Sequence, residues 1–295
     1  MDLPVKVYIK HSYNSKIVEY AIKSYVDKLF LPEKYKDKIS DLDFIKNNPA
    51  YYVNYPLLFV QNYQEAIVDK DLLNLSVSGF LYYRAIILLD RVLDGDFAFG
   101  SVFPLISICE EETVKILSSF FTNDSKYWTV WNKRKLEYLN AYKVDRSHDI
   151  HSIDEYETHA DEKSSLGKLA IDALFFMGRI SDVDTYKTYL KIHRYFYCAF
   201  QILDDISDIC EDFKKSQFNI AIWTVENAMK KGDINSDYFK NGESISKAFF
   251  TYHYSDDLLK LGSDYLKRAY LLAQEKELSY LSEEICKLWN TIVLQ

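Results

Sequence analysis

The chain has 295 residues, 48% of them hydrophobic and 27% charged, with a formal net charge of −8. Only 8 glycines and 5 prolines occur, about a third of the usual share, which excludes collagen, low-complexity linkers and most turn-rich all-β folds. No glycine-cradled nucleotide loop is present, and an acidic chain lacks the basic surface that nucleic-acid binding requires. The four cysteines stand far apart without a C-x-x-C pair, as expected of reduced thiols in a cytoplasmic protein. The opening MDLPVKVYIKHSYNSK carries no signal-type apolar run. No uninterrupted apolar stretch is long enough to span a membrane.

Helical periodicity dominates. In chain order it predicts helices over 14–30, 56–74, 76–94, 106–122, 125–143, 154–180, 183–215, 217–231, 244–254, 256–275 and 278–292. The breaks fall at Pro32, Pro49, Pro56, the segment from Gly95 to Pro104, Asn123–Asp124, residues 145–153, Ser181–Asp182, and the segment from Gly232 to Asn241. Ser76 and the Ser181–Asp182 pair read as N-caps. No linker or repeat divides the chain, so residues 1–295 are expected to form one all-α domain, an antiparallel helical bundle. Stretches 77–93 and 186–210 are apolar around their circumference and belong at its centre.

Both central stretches carry carboxylates. In LYYRAIILLDRVLDGD, Asp90 and Asp94 follow an apolar run at i, i+4. That spacing puts them on one helix face, about 6 Å apart along the axis. In YFYCAFQILDDISDICEDF, Asp204, Asp208 and Asp212 repeat at the same spacing, flanked by Asp205 and Glu211. Like charges so placed destabilise a helix by about 0.2–0.5 kcal/mol per pair, and burying them unpaired costs more. Either each stripe is a solvated helix end or a cation offsets it, and all-oxygen clusters suit Mg²⁺. Two such stripes facing each other across one cavity, on antiparallel central helices, would make a multi-metal site for an anionic ligand such as diphosphate. The six histidines form no zinc-hydrolase pairing, and no G-x-S-x-G occurs.

At these residues the sequence resembles the class I isoprenoid synthase superfamily. FQILDDISD (residues 200–208) is similar to the second aspartate-rich motif of trans-prenyltransferases, F-Q-x-x-D-D-x-x-D. QILDDISDICEDFKKSQFNIAI resembles the corresponding squalene/phytoene synthase segment, with Asp208, Glu211 and Asp212 on its D-x-x-E-D. YRAIILLDRVLDGD is similar to the first motif, and Lys163-Ser164 to the Lys-Thr pair that precedes the second. The sequence also departs from these patterns. Arg91 stands where the first motif has its second Asp, DFAFGSVFP replaces the R-R-G of chain-elongating enzymes, and Leu203 occupies the position of a terpene-cyclase Asn ligand.

The resemblance implies three Mg²⁺ ions, with Mn²⁺ an acceptable substitute. Asp90, Asp94, Asp204, Asp208 and Asp212 would hold them, the first four as the catalytic set. The substrate would be a prenyl diphosphate, ionised to an allylic cation. Lys163 leads the diphosphate-binding candidates, followed by Lys214, Lys215, Arg84 and Arg179. Phe80, Tyr82, Phe175, Phe176, Phe196, Tyr197, Phe200 and Gln201 would line the apolar pocket, the aromatic faces serving the cation. Arg91 is expected to face away and pair with an acid. The leading reading is a class I terpene synthase acting on a C15 or C20 diphosphate, possible as a homodimer. The alternatives are a prenyltransferase, chain-elongating or head-to-head, and a non-catalytic helical binding protein with a degenerate site.

Overall fold

The computed structural model describes residues 15–41, 50–93, 95–235 and 239–293. Among them no strand occurs. The helices, in order, are α1 (Ser15–Asp27), α2 (Glu33–Ile39), α3 (Ala50–Leu58), α4 (Tyr63–Ala66), α5 (Lys70–Leu93), α6 (Phe99–Ser118), α7 (Lys126–Ser147), α8 (Ile153–Lys163), a 3₁₀ turn (Ser165–Gly167), α9 (Lys168–Phe176), α10 (Val183–Ser207), α11 (Ile209–Lys215), α12 (Ile220–Lys231), α13 (Gly242–Thr251), α14 (Tyr254–Glu275) and α15 (Ser279–Val293).

The helix starts follow side-chain chemistry. Asp182 accepts from the Thr185 N–H at 2.8 Å, Ser152 from Glu155 at 3.2 Å and Asn241 from Ser244 at 2.8 Å, so each satisfies a donor left open in the first helical turn. Ser76 is no cap. The helix around it begins at Lys70, and its hydroxyl donates back to the Leu72 carbonyl at 3.0 Å. Four other expected helices differ from the periodicity. The expected 56–74 helix is divided among α3, α4 and the start of α5. Helix α6 starts at Phe99 and runs through Pro104, which near a helix start frees one carbonyl, that of the exposed Gly100. Residues 154–180 and 183–215 each break, the first after Lys163 and the second at Asp208.

The buried apolar residues form one cluster running from α1 to α15. Helix α10 packs along α14, which packs on α15, while α5 is enclosed by α6, α3 and α1. Helix α5 is long and apolar enough to cross a membrane, yet 61% of its apolar window is buried inside the protein. It is a core element, and its remaining face lines a cavity.

Candidate active site

One cavity, of about 310 Å³, runs between α5 and α10. Helix α5 contributes Leu75, Ser78, Gly79, Tyr82, Tyr83, Ile86, Ile87 and Asp90, a single face followed turn by turn. Fifteen residues at ~1.5 Å rise give a lining about 22 Å long. Opposite it, α10 contributes Tyr197, Phe200, Gln201 and Asp204. Helix α7 adds Tyr127, Trp131 and Tyr138, and the α8–α9 break adds Lys163, Ser164, Leu166 and Gly167. Tyr55 and Pro56 of α3 and Thr113 and Leu117 of α6 also line it.

The cavity is polar at one end. Asp90 and Asp204 each occupy the fourth-last position of their helix. Helices α5 and α10 therefore lead toward the same mouth, and the expected antiparallel relation of these two is not met. Helix C-termini carry partial negative charge, so carboxylates there deepen an anionic field. Burial, with Asp208 and Asp90 adding repulsion, pushes the Asp204 carboxyl up to about 6 against the pull of Lys163. Burial pushes Asp212 to about 6 and Asp205 to about 8. Asp204 is exposed where it lines the cavity mouth.

Lys163 supplies the counter-charge. The break after α8 leaves it at a helix C-terminus, where a cation is favoured. Its Nζ stands 3.5 Å from Asp145 Oδ2. Burial works to lower its pKa, but Asp145, Asp205, Asp204 and Asp212 outweigh that and hold it above the usual amine range. Asp145 also bonds His159 Nε2 at 2.8 Å.

The second acidic stripe is divided by role. Asp205 is 3% exposed and accepts from Gln201 Nε2 at 2.7 Å, the Ile220 N–H at 3.0 Å and the Tyr156 hydroxyl at 3.3 Å. Asn219, the N-cap of α12, donates to the Asp205 carbonyl at 2.6 Å and to Asp212 Oδ2 at 2.8 Å. Asp208 sits at the α10–α11 break and accepts from the Ser207 hydroxyl at 2.9 Å. Asp94 lies outside the described residues. The carboxylate set fits a divalent cation in donor chemistry, since the acids mutually raise their proton affinities around one lysine. Among the described residues, however, no three His, Cys, Asp or Glu side chains converge on one point.

Of the sequence candidates, Asp90, Asp204, Lys163, Tyr82, Tyr197, Phe200 and Gln201 line the cavity. Others do not. Phe80 and Phe196 are each 1% exposed and stand one residue, about 100° of rotation, from the lining residues Gly79 and Tyr197. Phe175 stacks on Tyr186 and Phe176 packs edgewise on Tyr127, behind the cavity wall. Arg84 donates to the Lys38 carbonyl at 3.0 Å, with Asp41 at 3.9 Å. Arg179 pairs with Asp69 at 2.8 Å. Lys215 pairs with Glu211 at 2.8 Å and Lys214 is exposed on α11, neither of them in the lining. Arg91 is not among the cavity-lining residues; its guanidinium lies over the Phe97 ring at 5.5 Å, and the expected ion pair with an acid is not found among the described residues.

The sequence reading missed Asp145, Asn219 and the α7 aromatics. Tyr127, Trp131 and Tyr138 fall at i, i+4, i+11, one helical face, and that spacing was the available signal.

No protein-family model matches the sequence, and no curated protein matches it. Solved structures do match in fold. A geranylgeranyl pyrophosphate synthetase from the archaeon Geoglobus acetivorans is similar at TM-score 0.67 and 18% identity, over 93% of this chain and 95% of that one. A decaprenyl diphosphate synthase from Rhodobacter capsulatus is similar at TM-score 0.73 and 11% identity, over 95% and 99%. A polyprenyl synthase from Caulobacter crescentus CB15, complexed with calcium and isoprenyl diphosphate, is similar at TM-score 0.67 and 14% identity, over 94% of each chain. The chain has the class I isoprenoid synthase fold found in these trans-prenyltransferases.

Proposed function

We propose that the protein is a prenyltransferase that joins an allylic prenyl diphosphate to a second isoprenoid unit. One observation carries this reading. A carboxylate pair and a lysine at the mouth open into an apolar, aromatic-lined cavity about 22 Å deep along α5. An extended isoprene unit spans roughly 5 Å, from four bonds of about 1.5 Å, so the lining suits a chain of about four units.

In this reading Lys163 takes the diphosphate head, and Asp90, Asp204, Asp208 and Asp212 are the side chains that would hold divalent cations. A bound Mg²⁺ or Mn²⁺ would neutralise the charge that develops on the departing diphosphate. The carbon–oxygen bond breaks, its electron pair leaves with the diphosphate, and an allylic cation remains. Trp131, Tyr82 and Phe200 line the cavity, where their rings would exclude water and stabilise that cation. The double bond of the acceptor attacks it, and the new adduct loses a proton to the departed diphosphate.

A terpene synthase is the second reading. It is favoured by DFAFGSVFP standing where chain-elongating enzymes carry R-R-G, since a second diphosphate needs basic partners there. Incubation with C10, C15 and C20 diphosphates in Mg²⁺, with and without isopentenyl diphosphate, separates the readings. A longer diphosphate formed only with isopentenyl diphosphate is the expected outcome. A hydrocarbon or alcohol formed without it would favour the synthase, and binding without turnover would overturn both.

A further inference from the structure

His193 lies midway along α10, 0% exposed, and the chemistry above does not use it. Its two ring nitrogens reach different elements. Nε2 is 3.1 Å from the Ser164 carbonyl oxygen and 3.1 Å from Ser164 Oγ. Nδ1 is 2.6 Å from the Tyr55 hydroxyl of α3. A carbonyl can only accept, so Nε2 carries the proton, Nδ1 is bare, and the Tyr55 hydroxyl donates to it. The Ser164 hydroxyl donates elsewhere, to the Ala160 carbonyl at 3.0 Å, and so accepts from His193. Both nitrogens are used by a neutral ring of one tautomer.

Ser164 immediately follows Lys163 and caps α8. Three residues on, Gly167 leaves no room between this turn and the ring. A Cβ there would lie 2.9 Å from His193 Cε1, closer than packed atoms tolerate. The ring is thus seated between the turn that carries Lys163 and the wall that carries Tyr55, with the Tyr197 ring 4.5 Å away on α10.

The geometry points to His193 as a positioning residue for Lys163: its Nε2–H fixes the 163–167 turn and thereby the place of the Lys163 ammonium at the cavity mouth. This rests on the proposal that Lys163 receives the diphosphate. It adds that the lysine's placement depends on a histidine that touches neither substrate nor metal.

Two readouts test it in His193→Ala, His193→Gln, Gly167→Ala, Lys163→Ala and the double variant His193→Ala/Lys163→Ala. Each variant is first checked for wild-type helical content. The acylation rate of Lys163 by a small activated ester, followed by peptide mass spectrometry, needs no ligand. The affinity for inorganic pyrophosphate in Mg²⁺, measured by calorimetry, reports on the diphosphate site. His193→Ala and Gly167→Ala should each accelerate Lys163 labelling and weaken pyrophosphate by about tenfold, the lower end of what outer partners contribute. His193→Gln, whose amide N–H can replace Nε2–H, should stay within about threefold, the worth of one neutral hydrogen bond. The double variant should bind no worse than Lys163→Ala alone, because both act through one group.

Unchanged Lys163 labelling in folded His193→Ala and Gly167→Ala would overturn the inference. So would a double-variant loss equal to the product of the single losses. Wild-type protein that binds no pyrophosphate would count against the diphosphate reading instead, and the labelling rates would still decide the role of His193. If His193→Ala does not fold, Gly167→Ala and His193→Gln decide the same question.

Discussion

Asp90 and Asp204 occupy equivalent positions, three residues before the end of a long apolar helix, but their surroundings differ. Beyond Asp204, the carboxylates of Asp205 and Asp212 are held by Gln201, Tyr156, the Ile220 N–H and Asn219. Beyond Asp90 the chain turns outward at Gly95, with φ of 84°, into a segment where Phe97, Phe99 and Phe103 are exposed. One acidic end is built into the protein by hydrogen bonds from three helices. The other places Asp90 in the same cavity lining, on a helix that ends at Leu93. The α10 end is thereby preorganised, because donors fixed before a ligand arrives need not be arranged at the moment of reaction.

The largest effect should separate these two ends. Asp204→Ala should lower turnover roughly 100-fold or more, the scale of losing a fixed electrostatic group, and Asp90→Ala should cost clearly less. Equal losses in steady-state rates would break the comparison.

Next comes the depth of the cavity. Gly79 sits inside α5, where glycine costs about 1 kcal/mol relative to alanine. An added Cβ there meets nothing within 4 Å. Gly79→Phe should fill the space three turns below Asp90 and shorten the longest prenyl chain accepted by about one or two isoprene units, given ~1.5 Å per residue of helix. Mass spectrometry of products would detect the change, and an unaltered distribution would remove Gly79 from the chain-bearing wall.

Stability should also distinguish the ends. The carboxyls at the α10 end lie at about 6 and about 8 in the folded chain, against about 3.9 when unfolded. The folded state therefore retains protons that the unfolded state has lost. Without divalent cation, stability should fall as pH rises from about 4 to about 8. Thermal melts in EDTA should record this decline, Mg²⁺ should restore more at pH 8 than at pH 5, and Asp205→Asn should flatten the upper part. A Tm that rises across this window in EDTA would contradict it.

The smallest effect concerns a distant cation. Arg179 is paired with Asp69, so Arg179→Ala should leave pyrophosphate affinity within about twofold and cost at most ~1 kcal/mol of stability, as exposed ion pairs do. A tenfold loss of affinity would bring Arg179 back to the site.

Much of the site was legible because its chemistry is local. The four-residue spacing of Asp204, Asp208 and Asp212 and the apolar run before Asp90 are facts of composition and helical period. So is the cap at Asp182. Pocket membership was less legible. Phe80 and Phe196 are as apolar as Tyr82 and Phe200, and one-residue offsets on a helix decide which of them meet the cavity. Asp145 was invisible because nothing near it in sequence marks it; only α7 passing beside α8 brings it to Lys163.

The sequence by itself determined that the chain is helical, which helices are central, and that carboxylates gather on two of them, because period and charge are properties of short segments. Tertiary structure alone decided that both acidic ends open on one cavity. It also broke the helix after Lys163 to set that ammonium among them, and turned Arg84 and Arg179 to other partners. Those outcomes depend on contacts between residues tens of positions apart, and side-chain direction across such distances is fixed only when the whole core packs.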